Sequence, residues 1–266
     1  MITPMITGLA SSALDLRRPH RMVERSVMVY RRGWMVIVSG FFEPLFFLLS
    51  IRIGFGALIG DIEVGGRTIG YAEFVAPALM AAAAMNGAIF DSTMNVFYKV
   101  KYSKLYDSVL ATPMTTADVA LGEIAWAMLR GLMYSVAFLL TMWALGMTGS
   151  AWVVLAVPVC VLIGLAFASM GMAVTSFMRS WSDFEYVPAV QVPLFLFSAT
   201  FFPLSQYGSW GWVVQLSPLY HGVALVRAAN LGEWSWGLVG HVAFLLVLAA
   251  IGLAVTARRL RTMLLT

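Results

Sequence analysis

The chain has a single cysteine, Cys160, among 266 residues. One thiol excludes a disulfide framework within the chain and any multi-cysteine metal site; its plain role is that of a small apolar residue inside a span. Charge is scarce too: Asp, Glu, Lys and Arg make up 11% of the residues, against about 25% in soluble domains. So few charges cannot coat a water-facing surface, and with 61% hydrophobic residues the chain belongs in a bilayer. There is no G-x-x-x-x-G-K-[ST] loop to cradle a nucleotide phosphate, no H-E-x-x-H and no G-x-S-x-G, so no enzyme signature is present. The three histidines, His20, His221 and His241, lie in separate segments without metal-ligand spacing. The net charge of +4 does not indicate nucleic acid, because the basic residues sit in short segments between apolar runs. No charged segment precedes a short apolar run ending at a small-residue cleavage site, so the first span is expected to serve as an uncleaved insertion signal.

What is present is a series of apolar runs with short polar breaks. The expected architecture is an all-α integral membrane protein with three regions: a tail and interfacial amphipathic helix over 1–33, a six-span domain over 34–257, and a basic tail over 258–266. From Pro19, the residues Met22, Val23, Val27, Tyr30 and Trp34 fall at helical spacing with arginines between them, the pattern of a helix lying in the membrane plane. Spans are expected at about 34–59, 71–97, 116–145, 152–177, 186–202 and 237–257. Between the last two, the polar-aromatic stretch 203–236 is divided by Pro218 into halves too short to cross, which fits a re-entrant helical hairpin in the outer leaflet. Thirteen of the 17 Lys and Arg residues fall on the side that carries both termini and the 98–117 loop, which puts that side in the cytosol.

The 98–117 loop is the longest polar, amphipathic stretch between spans. Tyr102, Leu105, Tyr106, Val109 and Leu110 follow i, i+3, i+4, i+7, i+8, one apolar stripe on a short helix. Pro113 ends or bends that helix, and Thr115 or Thr116 with Asp118 suits the start of the next. The stripe must be buried against lipid headgroups or in a groove on a soluble partner. Inside the spans, Glu43 lies about 13 Å deep beside Pro44, either as a gate or as a carboxylate paired with a neighbouring span. Arg52 is close enough to one face to snorkel. Asn86 sits in the Ala- and Met-rich run of span two, where it lines a path or bonds across helices. Arg130 has Asp91, Glu43 and Glu123 as candidate partners.

Several motifs resemble the membrane subunits of type-2 ABC exporters, with the nodulation-type lipo-oligosaccharide and daunorubicin-type drug exporters as the nearest look-alikes. They are Phe42-Glu43-Pro44, Tyr71-x-x-Phe74-x-x-Pro77, Leu110-Ala111-Thr112-Pro113, Asp118-x-x-x-Gly122-Glu123, the run from Gly164 to Gly171, Phe197-Ser198-x-x-Phe201-Phe202-Pro203, and Leu216-Ser217-Pro218-Leu219-x-His221 with Arg227. The resemblance covers about residues 25–262 and carries no substrate signature. It implies two such permease subunits, identical or paralogous, meeting along spans two and five in the bacterial inner membrane. Two ABC ATPase subunits would bind below and hold ATP and Mg, with no cofactor in this chain. It implies coupling through Tyr102, Leu105, Tyr106, Val109, Leu110, Pro113 and Glu123. The substrate path or gate would be formed by Glu43, Asn86, Phe195, Phe197, Phe201 and Phe202. An amphipathic drug or lipid-like molecule would move outward. The competing expectation is a secondary transporter driven by an ion gradient, which would show inverted repeats and helices broken at mid-membrane; no repeat is visible.

Overall fold

A computed structural model describes residues 19–32, 35, 42, 45–64 and 66–264. Trp34, Glu43 and Pro44 lie outside the described residues. The chain opens with α1 (Pro19–Arg32) and α2 (Leu45–Ile59). A short antiparallel hairpin follows, β1 (Asp61–Val64) and β2 (Arg67–Gly70), with Ile62 opposite Ile69. Next come α3 (Tyr71–Lys101), α4 (Leu105–Leu110), α5 (Thr116–Ala144) and α6 (Ala151–Thr175). The chain closes with α7 (Tyr186–Leu196), α8 (Gly211–Leu216), α9 (Pro218–Leu231) and α10 (Gly237–Leu264). Among the described residues, four helices are long and apolar enough to cross a membrane: α3, α5, α6 and α10. One end of the bundle carries α1 and α4, here called the basic end; the other carries the β-hairpin, α8 and α9.

α6 is the central post, packed by α3, α5, α9 and α10. Its buried face includes Ala166, Ala168, Ser169 and Gly171 beside the larger Ile163, Phe167 and Met172, and the small residues let neighbouring elements approach. The contact with α10 is backbone to backbone: a Cβ at Gly252 would lie 2.6 Å from the Ser169 carbonyl carbon. α10 buries Leu245, Ala249 and Thr256 toward the bundle and exposes Val239, Leu246, Val247 and Ile251 on the opposite side, a division suited to lipid. α1 packs along the first half of α5. There Gly122 makes room for Met22, whose Cβ lies 2.5 Å from where a Gly122 Cβ would stand.

Three local features add to or differ from the sequence expectation. The short loop between the first two expected spans is folded as a paired β-hairpin. α3 widens into a π-helical turn at Asp91–Asn95. There the hydroxyls of Ser92 and Thr93 donate back to the carbonyls of Ala88 (2.7 Å) and Ile89 (2.6 Å); such back-bonding competes with the regular ladder. α7 ends at Leu196 rather than near 202. Pro193 deprives the helix of one backbone donor, and Ala199 takes a left-handed φ of 54°. The loop after α7 is then held from outside, because Arg227 of α9 donates to the Ala199 carbonyl at 2.8 Å while its guanidinium lies over the Phe74 ring.

Candidate functional site

α7 buries none of its residues, and the space it leaves is a cavity of about 660 Å³ bounded by α2, α3, α5 and α7. Its walls are mostly apolar and aromatic, with Phe47, Leu79, Phe90, Phe138 and Phe195 among them. Polar groups enter at two levels. At the first, the Gln191 amide of α7 donates to Asn86 Oδ1 of α3 at 2.6 Å, so Asn86 both lines the cavity and bonds across helices. At the second, Arg130 and Tyr134 of α5 come in beside Thr93 of the π-helical turn. Few polar groups in a mostly apolar concavity is the usual make-up of a small-molecule site. Phe195 lines the cavity and meets Phe201 edge-on at 5.3 Å. Phe197 and Phe202 are 50% and 58% exposed and are not among the lining residues. Glu43, expected at the same path, falls outside the described residues.

Arg130 has found one of its three candidate partners. It pairs with Asp91 at 2.7 Å, and both side chains are almost wholly buried. Asn95 donates to the same Asp91 oxygen at 2.6 Å, and Arg130 also donates to the Tyr30 hydroxyl of α1 at 3.1 Å. Tyr30 in turn packs against Trp126, ring centroids 5.1 Å apart. Arg130, the one cation lining the cavity among the described residues, is therefore tied directly to α1. Removing one partner of such a pair leaves an uncompensated buried charge, a loss of about 3–5 kcal/mol.

A second ion pair lies nearer the basic end: Lys99 of α3 bonds to Glu123 of α5 at 2.5 Å, with the carboxylate buried. Asp91–Arg130 and Lys99–Glu123 thus form two rungs between α3 and α5. Beneath the lower rung lies α4. Its Tyr106 is 1% exposed and packs in a cluster with Met22, Val96, Val119, Ala120, Ile124 and Met172, with Leu105, Val109 and Leu110 around it. Burial, with the Glu123 charge beside it, pushes the Tyr106 phenol well above its usual range.

Burial divides the expected docking stripe. Tyr106 is sealed into the chain's own core, with Leu105, Val109 and Leu110 turned toward it, because α1 and α5 supply the apolar groove that the stripe requires. Tyr102 is not on the stripe at all. α3 runs on to Lys101 and the chain breaks at Lys104 (φ 46°), which leaves Tyr102 stacked on Tyr98 at 5.7 Å and edge-on to Trp181 at 6.1 Å. The surface left open is polar: Lys101, Ser103, Lys104, Asp107, Ser108, Thr112 and Pro113 are exposed along with Tyr102. Pro113 precedes the start of α5, which carries a complete capping box between Thr115 and Asp118.

Gln191, Tyr134 and Lys99 were not expected at the site, and Tyr30 was expected only as part of the α1 stripe. Gln191 had a usable signal, being the lone amide in the apolar run 186–202; the tyrosines gave none, since their role depends on which helices meet. Among the described residues no three His, Cys, Asp or Glu side chains converge as metal ligands.

The sequence matches the ABC-2 type transporter family over residues 20–231. It is 30% identical over 233 residues to Nodulation protein J of Sinorhizobium fredii, covering 84% of this chain and 87% of that protein. It is likewise 30% identical over 244 residues to Nodulation protein J of Rhizobium leguminosarum bv. trifolii, covering 91% and 92%. The Nodulation protein J of Rhizobium meliloti is 28% identical over 217 residues, 78% and 81% of the two chains.

Proposed function

This chain belongs to the ABC-2 type transporter family, membrane subunits that work with an ABC ATPase, and we propose that it moves an amphipathic drug or lipid-like molecule outward through the cavity beside α7. ATP and its magnesium are held by the partner ATPase. Two copies of the ATPase and two permease chains, identical or paralogous, make up the working unit. It sits in the bacterial inner membrane with the basic end in the cytosol, where the exposed polar face of 101–113 meets the ATPase.

The observation that carries this reading is the cavity itself. It is apolar enough for a hydrocarbon or aromatic body. The Asn86–Gln191 amide pair suits a hydroxyl or amide, and Arg130 connects it to Tyr30 on α1. A substrate that parts α7 from α3 breaks the amide bridge, and a shift of Arg130 is felt at α1. The ATPase power stroke can act along the same connection in reverse.

The test is reconstitution with the cognate ATPase in liposomes, scored as ATP-dependent uptake of fluorescent amphipaths in inside-out vesicles. The expected result is uptake that requires both subunits and falls at least tenfold when Asn86 and Gln191 are both changed to leucine. Uptake that persists unchanged in the double variant would remove the cavity from the path. No ATP-dependent uptake of any amphipath, with ATPase turnover intact, would remove the substrate class.

A further inference from the structure

The two histidines at the hairpin end meet, although twenty residues separate them. His221 lies in the first turns of α9 and His241 in the first turns of α10, and their Nδ1 atoms are 2.7 Å apart. The His221 Nε2 is 3.0 Å from the Gln215 carbonyl of α8. A carbonyl only accepts, so His221 carries its proton on Nε2 and turns a lone pair on Nδ1 toward its neighbour. The short approach then requires the His241 Nδ1 to donate. Both rings are held from the side. Phe244 stacks on His221 at 3.9 Å and 16°, and the Tyr220 ring is 5.6 Å from each imidazole.

From this geometry we propose that His221 and His241 form a binding site for a late first-row divalent metal ion such as Zn²⁺, Ni²⁺ or Cu²⁺, clipping the start of α9 to the start of α10. The His221 ring already has the form of a metal ligand, with its far nitrogen bonded to a carbonyl that fixes tautomer and orientation. For His241 to ligate, its proton moves from Nδ1 to Nε2, a change of tautomer with no net proton released from the neutral pair. Metal–nitrogen bonds of about 2.0–2.1 Å in a tetrahedral arrangement place the two nitrogens about 3.4 Å apart, so the rings must open by roughly 0.7 Å, within reach of side-chain rotation. Solvent fills the remaining positions. Imidazole nitrogen selects these ions and not Mg²⁺ or Ca²⁺, which take oxygen. Arg227 does not enter the site, being turned to the carbonyls of Ala199 and Phe74. The proposal is independent of transport and of the ATPase.

The experiment uses the untagged chain with His20→Gln, which removes the one remaining histidine, in lipid nanodiscs at pH 8. Cu²⁺, Ni²⁺ and Zn²⁺ are each expected to raise the unfolding temperature saturably at one ion per chain, Cu²⁺ at the lowest concentration; Mg²⁺ and Ca²⁺ should have no effect. Adding His221→Gln or His241→Gln should raise the half-saturating concentration at least tenfold. Equal response in all three proteins, or no saturable response to any ion, overturns the proposal. Should a glutamine variant fail to fold, Cu²⁺ electron paramagnetic resonance on the His20→Gln protein decides. Coupling to two imidazole nitrogens supports the site, and coupling to one or none overturns it.

Discussion

α6 and α7 are both apolar helices of the same bundle, yet twelve of the 20 residues in Ala156–Thr175 are buried and none of the eleven in Tyr186–Leu196 is. Hydrophobicity does not separate them. Side-chain size and backbone continuity do. α6 places Ala166, Ala168, Ser169 and Gly171 between larger residues on the face it turns to four neighbours, so helix axes come close and dispersion contacts accumulate. α7 presents Tyr, Val, Pro, Phe and Leu, has Pro193 near its end, and stands off with space on both flanks: the cavity against α2, α3 and α5 on one side, and a groove of about 640 Å³ toward α6 and α10 on the other. The chain thus pairs a fixed post with a weakly held wall, and the weakly held elements of a protein are the ones free to move.

The comparison breaks most severely on the fixed side. Changing Arg130 to Met strands Asp91 in the interior and is expected to cost about 3–5 kcal/mol, read as a large fall in unfolding temperature or in folded yield. The double change Arg130→Met with Asp91→Leu should recover most of it, since removing both partners of a buried pair is often close to neutral. Gly252→Ile drives a side chain into the Ser169 backbone, and overpacking of this kind costs about 1–3 kcal/mol. Gly252→Ile, on a contact of the post itself, should lower stability before it alters transport, whereas Arg130→Met should lower both.

Much of this division was legible in the sequence, and the parts that were not have physical causes. The Gly/Ala-rich run of α6 shows its packing role directly, and so does the Thr115–Asp118 cap of α5, because both depend on local spacing. The pairing of Arg130 was narrowed to three carboxylates but not chosen, since the choice depends on how α3 and α5 are rotated against each other. The α4 stripe was visible as a stripe, yet what it faces was not: burial inside the chain and docking on a partner have the same periodicity. Only the placement of α1 against α5, which depends on Gly122, settles that Tyr106 faces inward. The end of α7 was misplaced by six residues because Phe197–Phe202 is as apolar as a span; its break depends on Pro193 and the capture of Ala199 by Arg227.

Smaller effects sharpen the comparison. Thr115→Ala removes the cap of α5 and should cost about 1 kcal/mol, visible as a modest drop in unfolding temperature with the bundle intact. In the turn just before α7, backbone N–H groups of Arg179 and Ser180 hold the exposed Asp183 carboxyl below its usual range. A depressed carboxyl contributes its stabilisation above the unfolded pKa and loses it as pH falls through the folded one. Attachment of α7 should therefore be unchanged across neutral pH and loosen only in acid, which hydrogen exchange over 181–196 can follow. Val190→Ala, on the open side of α7, should shift stability by less than about 0.5 kcal/mol, whereas an equivalent truncation at the fully buried Ile163 of α6 should cost about 2–5 kcal/mol.

The central claim is that α7 must part from α3 for the protein to work. In a Cys160→Ala background, cysteines at positions 90 and 187, on the cavity walls of α3 and α7, can be joined by a short reducible methanethiosulfonate cross-linker, and ATP-dependent uptake measured before and after reduction. The account expects uptake to stop in the cross-linked protein and return on reduction, with unfolding temperature raised while the link is present. Undiminished uptake with the link in place would contradict it.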